Sequence, residues 1–155
     1  MAKRTATEAP PDETGQPHAA YALEGQVGHL LRRAHQRHTG IFQEMVSEAQ
    51  LTPMQFAALV KLEQEGPLSQ NHLGRLTAMD PATIQGVIRR LEERGLIDRL
   101  PDKEDRRRMI LRASAAGSAL ARRLYSIALQ ISDRTLAPLS ATEQAQFLAL
   151  LKRLI

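Results

Sequence analysis

The sequence predicts a mainly α chain with a small β-hairpin wing, and three observations predict it. Apolar residues recur at three- and four-residue steps over most of the chain, the spacing of helices with one buried face. Start and stop signals punctuate those stretches: Thr52-Pro53, Ser69, Asp80-Pro81, Ser114 and Ser140 open them, while Gly66-Pro67, Gly95 and Pro138 close them. One segment, LIDRLPDKEDRRRMILR at residues 96–112, breaks the helical period. There two short apolar runs flank a knot of charge, as in a hairpin.

The elements follow in order. Residues 1–18, MAKRTATEAPPDETGQPH, hold no apolar run that could offset the entropy of ordering them, so they read as a disordered tail and not as a secretory leader. Order is expected to begin near Ala19. From there Leu23, Val27, Leu30, Leu31, Ala34, Ile41, Phe42 and Met45 make one stripe on a long helix, which Gly40 weakens without ending. In LTPMQFAALVKLEQEGP, Thr52 is the N-cap, Pro53 fits the first helical position and Gln55 completes a capping box; Phe56, Leu59, Val60 and Leu62 face inward. LSQNHLGRLTA is a short helix capped by Ser69, with Leu73 and Leu76 inward. A turn at Met79 leads into DPATIQGVIRRLEERG, capped by Asp80 and stopped by Gly95. LIDRL and MILRA are the two strands of the hairpin. Ser114 caps the next helix, with Leu120, Leu124, Ile127 and Ile131 in its stripe. Ser140 and Glu143 form a second capping box for the last helix, whose Phe147, Leu150, Leu151, Leu154 and Ile155 share one side. The middle of the chain is thus a helix-turn-helix with a hairpin wing. The apolar first and last helices would be poorly covered in a monomer, which suggests a dimer built from the two chain ends.

Composition bounds the function. With 155 residues, 43% of them apolar, the chain can form one domain with its own core. The net charge of +4 and a pI of about 10.0 favour an anionic partner. There is no cysteine, so disulfides, thiolate metal sites and thiol switches are excluded. No apolar run reaches the roughly 18 to 20 residues that span a bilayer, and a cytoplasmic location is expected. A Gly-rich phosphate loop, HExxH and GxSxG are all missing, so an enzyme is not expected and no cofactor is called for.

The helix opened by Asp80 carries the most information. On a helical wheel Ile84, Val87, Ile88 and Leu91 fall within one narrow arc, the buried face. Ala82, Gln85, Gly86 and Arg89 lie opposite, with Thr83 and Arg90 at the edge. A major groove accepts such a helix, because short side chains permit close approach while Gln and Arg can bond base edges. Pro81, Ala82, Thr83, Gln85, Gly86, Arg89 and Arg90 are therefore the candidate major-groove residues. The free N–H groups at the helix start favour a nearby phosphate. In the wing, Lys103, Arg106, Arg107 and Arg108 are candidates for the minor groove. Asp102 and Asp105 can each pair with one arginine and orient it while another reaches DNA. The competing reading is a solvated surface helix followed by a solvated charged loop.

Taken together these stretches resemble the MarR family of winged helix-turn-helix transcription regulators, over about residues 20 to 155. LTPMQFAALVKL, LSQNHLGRLTAMDPATIQGVIRRLEERGLIDRL and DKEDRRRMILRASAAG match the family pattern in order and spacing. The most specific pieces are RLEERGLIDR, the DRR of Asp105–Arg107 and the SAAG of Ser114–Gly117, where Ser114 stands for the family's usual Thr and keeps its capping hydroxyl. The resemblance implies a homodimer with interlocked terminal helices, residues 19–50 and 114–155. It implies a DNA-binding region at 51–113, with Thr83–Arg90 in the major groove and the wing around Arg106 and Arg107 in the minor groove. A pseudo-palindromic double-stranded operator, repression, and release by a small aromatic carboxylate or phenolic ligand also follow from it. Relatives that sense oxidants do so through cysteine, a branch this composition excludes.

For the effector, His38 lies centrally in the first helix's apolar stripe, His35 at its edge, and Phe56 is expected nearby on the next helix. An imidazole so placed can pair with a carboxylate or phenol. The competing reading is a hydrogen-bonded histidine of the core or dimer seam. A zinc site from His29, His35 and His38 is disfavoured because His29 points away from His38. Two rivals to a ligand-responsive repressor stay open: a winged-helix nucleic-acid-binding protein without an effector, and a protein–protein adaptor.

Overall fold

The computed structural model describes residues 21–102, 105 and 107–155. The expected tail at 1–18, and the wing residues Lys103 and Arg106, lie outside the described residues. Two units are distinguished, one ending at Arg33 and the other spanning Ala34–Ile155. The first holds a 3-10 turn at Leu23–Gly25 and the start of helix α1 (Val27–Met45). Extended backbone at Gln26 (φ −77°, ψ 134°) separates turn from helix, so α1 begins at Val27 and not near Ala19. Leu23, Val27, Leu30 and Leu31 are exposed.

In the second unit α1 runs through Gly40 without a break, as expected, and its Ile41 and Phe42 are buried. A corner at residues 46–51 leads to α2 (Pro53–Glu65). The predicted capping box opens α2: Gln55 N–H donates to Thr52 Oγ1 at 3.2 Å, and Thr52 N–H donates to Gln55 Oε1 at 2.9 Å. Strand β1 (Leu68–Ser69), α3 (Gln70–Leu76) and α4 (Pro81–Glu93) follow, then β2 (Ile97–Pro101), β3 (Met109–Ala113), α5 (Ala115–Leu136) and α6 (Ala141–Leu151). The sheet is antiparallel in the order β1-β3-β2. The hairpin was expected; β1 was not. Its two residues pair with Leu111 and Ile110, too short a run to show a period in the sequence.

The core gathers Leu59 and Leu62 of α2, Leu73 of α3, Ile84, Ile88 and Leu91 of α4, Leu111 of β3 and Ile131 of α5. Leu76, expected inward, is 40% exposed. The inward arc of α3 is held by Leu73 and Gly74, and Leu76 sits roughly 110° from its centre at 100° per residue. Gly74 packs under Ile84, where a Cβ would already press on the Met79 carbonyl at 3.3 Å. Ser114 ties α5 to the exit of α4. Its hydroxyl donates to Gly95 O at 2.7 Å and its N–H to Leu96 O at 3.0 Å, while its Oγ accepts from Gly117 N–H. Gly117 is required here, because a Cβ would stand 2.0 Å from Leu96 O. Glu63 of α2 accepts from Tyr125 and Arg122 of α5. No residue of α6 is buried, and Phe147, Leu148 and Leu150 lie exposed on it, followed by exposed Leu154 and Ile155. Among the described residues, no helix is long and apolar enough to cross a membrane.

Candidate nucleic-acid interface and effector cavity

Asp80 is the N-cap of helix α4, as expected. Its Oδ1 accepts the N–H groups of Ala82 at 3.0 Å and Thr83 at 2.9 Å, and its Oδ2 accepts the Thr83 hydroxyl. That hydroxyl, followed by the Thr83 N–H, holds the Asp80 carboxyl below the usual carboxylate range. The helix start is therefore not an open phosphate site, contrary to the sequence expectation. The N-cap carboxylate already occupies those donors and puts a negative charge there.

The wheel is realised. Ile84, Val87, Ile88 and Leu91 are buried, while Pro81, Ala82, Gln85, Arg89 and Arg90 are exposed and Thr83 and Gly86 half-buried. A Cβ on Gly86 would meet nothing within 4 Å, so internal packing does not demand glycine there. The Arg89 guanidinium lies 3.7 Å from Glu93, one turn on, with both side chains exposed. A pair this long and wet holds the arginine weakly and leaves it available to a stronger anion.

The wing is fixed differently. Asp98 and Arg112 face each other across the β2–β3 ladder and form an ion pair at 3.0 Å. Arg99 reaches back to Glu92 of α4 with two bonds, at 2.9 and 3.2 Å. At the tip, Asp102 N–H donates to Arg108 O, Arg108 N–H to Asp105 O, and Arg107 N–H to Asp105 Oδ1 at 3.0 Å. Asp105 thus shapes the backbone of the tip through the N–H of Arg107, leaving the exposed side chains of Arg107 and Arg108 outward. Glu92, Arg99 and Asp98 were not singled out by sequence reasoning, because strand and helix registers must be known before such pairs can be seen.

A cavity of about 230 Å³ opens among α1, α2 and α5, walled by His38, Phe42, Pro53, Phe56, Ala57, Ala128, Ile131 and Ser132. It brings His38 and Phe56 together, as expected; His35 is exposed and does not line it. The Phe42 and Phe56 rings stack at a tilt, 5.7 Å apart. His38 Nδ1 lies 3.1 Å from Thr135 Oγ1. The Thr135 hydroxyl spends its one proton on Ile131 O at 2.7 Å. It can only accept from the histidine, so Nδ1 carries the hydrogen. Burial, and secondarily the charge of His35, hold the imidazole below its ordinary value and favour the neutral ring. Nε2 then keeps its lone pair. Arg37 donates to Arg134 O at 3.0 Å, and Arg134 grips Glu44 with two bonds, closing the α1–α5 seam beside the cavity. Thr135, Arg37 and Arg134 carry no sequence signal for this role, since their partners are some ninety residues away.

Comparison with known proteins agrees with this geometry. A profile of the MarR family matches residues 51–109. The chain is 42% identical to the HTH-type transcriptional repressor NicR of Pseudomonas putida, over 99% of this chain and 94% of that one. It is similar to a probable transcriptional regulator from Pseudomonas aeruginosa, with a TM-score of 0.83 and 48% identity over 86% of this chain and all of that one. It is also similar to BpsR of Bordetella bronchiseptica, whose DNA binding is regulated by 6-hydroxynicotinic acid, with a TM-score of 0.82 and 38% identity over 88% of this chain and 97% of that one. On this evidence the chain belongs to the MarR family of transcriptional regulators.

Proposed function

We propose that the protein is a homodimeric repressor that holds a pseudo-palindromic DNA operator and releases it when a small aromatic acid binds. The observation that carries this reading is α4: one face is buried in the core, and the other offers Ala82, Gln85 and Gly86 together with Arg89, which is held only by a long, exposed ion pair to Glu93. Residues 51–113 are the DNA-binding region in this reading, with the wing arginines supporting α4 from the flank. The apolar groups left exposed on the first helix and on α6 are what a second copy would cover, making 19–50 and 114–155 the dimerisation region. Such a regulator works beside the chromosome, in the cytoplasm.

The effector reading rests on the His38–Phe56 cavity, supported by the regulation of BpsR by 6-hydroxynicotinic acid. A cavity of 230 Å³ suits a single ring, and the two phenylalanines supply aromatic contact. With Nδ1 committed to Thr135, Nε2 asks its ligand for a hydrogen-bond donor. Acids whose ring bears a hydroxyl or an N–H are favoured over the unsubstituted parent, so 6-hydroxynicotinic acid should act at lower concentration than nicotinic acid. His38→Ala should retain DNA binding and lose that preference. Equal potency of the two acids on the unaltered protein removes His38 from recognition.

The test is a footprint on the DNA upstream of the protein's own gene, with and without a panel of aromatic acids. A protected inverted repeat released by one acid class is the expected result. A repeat that no acid disturbs removes the effector. Absence of protection at low salt, on this DNA and on duplexes selected from a random library, overturns DNA binding and favours an adaptor.

A further inference from the structure

Arg94 caps the C-terminal end of α4, at φ −92° and ψ 0°. Its guanidinium turns back to the corner between α1 and α2. Nη1 donates to Gln50 O at 2.7 Å and Nη2 to Ala49 O at 2.8 Å, forty-odd residues earlier in the chain. These are consecutive backbone carbonyls of the corner between α1 and α2. Gln50 stands in the left-handed region, φ 49° and ψ 39°, which fixes how the two carbonyls are presented. The corner is itself well seated. Val46, Ala49 and Leu51 are buried, Ala49 N–H bonds Val46 O, and Gln50 N–H bonds Ser47 O.

Apolar packing of Ile84, Val87, Ile88 and Leu91 holds α4 against the core through contacts that are individually weak and carry no directional bond at the helix exit. A planar fork with two short charge-assisted bonds is directional. At the other end of α4, Met79 N–H bonds Gly74 O and sets where the helix starts. We propose that Arg94 is a positioning residue: by clamping the exit of α4 to the α1–α2 corner, it fixes the angle at which Gln85 and Arg89 meet base edges, and so sets sequence discrimination without touching DNA itself.

This inference rests on α4 being the DNA-reading helix. Its test uses the full chain, the duplex that the unaltered protein selects from a random library, and a shuffled duplex of the same length. Arg94→Lys keeps the charge but loses the fork. The expected result is a specific-to-nonspecific affinity ratio lowered about tenfold, the order of one mismatched base pair. The salt slope on the selected duplex should not change, and any fall in melting temperature should be too small to leave unfolded protein at the assay temperature. Arg94→Gln should lower the ratio at least as far. A salt slope that falls by about 0.9 in Arg94→Gln makes Arg94 a phosphate contact and overturns the proposal. So does an unchanged ratio in both variants. A loss fully accounted for by the unfolded fraction, measured by stoichiometric titration and melting, reduces Arg94 to a stability role and overturns it too. If the unaltered protein selects no duplex, the DNA-binding reading fails first and this inference falls with it.

Discussion

Helix α4 and the wing present cations outward, and they hold them by different physics. The helix is bolted down by four buried apolar side chains, and its outer residues are bound to little else. The wing has a half-open ladder of two five-residue strands, and its charges are tied in pairs: Asp98 with Arg112, Arg99 with Glu92. Burial fixes a platform and leaves its far side free to read. Pairing ties down Arg99 and Arg112 and leaves, among the described residues, the exposed Arg107 and Arg108 of the tip for a partner. The difference teaches where discrimination and where affinity should reside: base reading on α4, phosphate and groove electrostatics on the wing.

The contrast breaks most severely at Gly117, where α5 touches the root of the wing. Gly117→Ala would drive a methyl into the Leu96 backbone and should lower stability by about 3 kcal/mol, measured by urea denaturation. An unchanged midpoint would show that α5 can move aside and that wing and helix are not anchored through this contact. A sharper comparison pairs Arg89→Ala with Arg107→Ala. The first should alter the preferred sequence and lose about 1 to 3 kcal/mol on the selected duplex. The second should weaken all duplexes alike and reduce the salt slope by about one unit. Identical profiles for the two variants would dissolve the division of labour. The smallest effect is expected at Gly86. Gly86→Ala should stabilise the free protein by up to about 1 kcal/mol through helix propensity, since nothing inside the protein opposes the methyl. DNA affinity should fall at the same time. If affinity holds, the face does not approach base edges closely.

Much of this architecture was legible in the sequence because it is local. Thr52, Ser69, Asp80, Ser114 and Ser140 cap their helices by accepting N–H groups two or three residues on, and a single reading frame suffices to see that. The buried arc of α4 was legible for the same reason. What escaped is long-range or too short to have a period. Strand β1 has two residues. The His38–Thr135 bond, the Arg134–Glu44 pair and the Arg94 clamp each join residues more than forty positions apart. Leu76 misled because a seven-residue helix gives only two turns on which to judge a face. The open phosphate site at the start of α4 misled for a different reason: the same Asp80 that announces a helix also consumes the donors that would have bound the phosphate.

Two residues other than glycine adopt left-handed backbone among those described, Gln50 at φ 49° and Ala78 at φ 52°. One is gripped by the exit of α4 and the other lies just before its entrance. Each conformation sacrifices about 1 kcal/mol that glycine would recover. Glycine would also broaden the range of angles open to each corner. For a lineage under selection for heat tolerance these two sites are therefore tempting and hazardous. If α4 is aimed at DNA as proposed, the substitutions that relieve the fold there are the ones that would blur its aim.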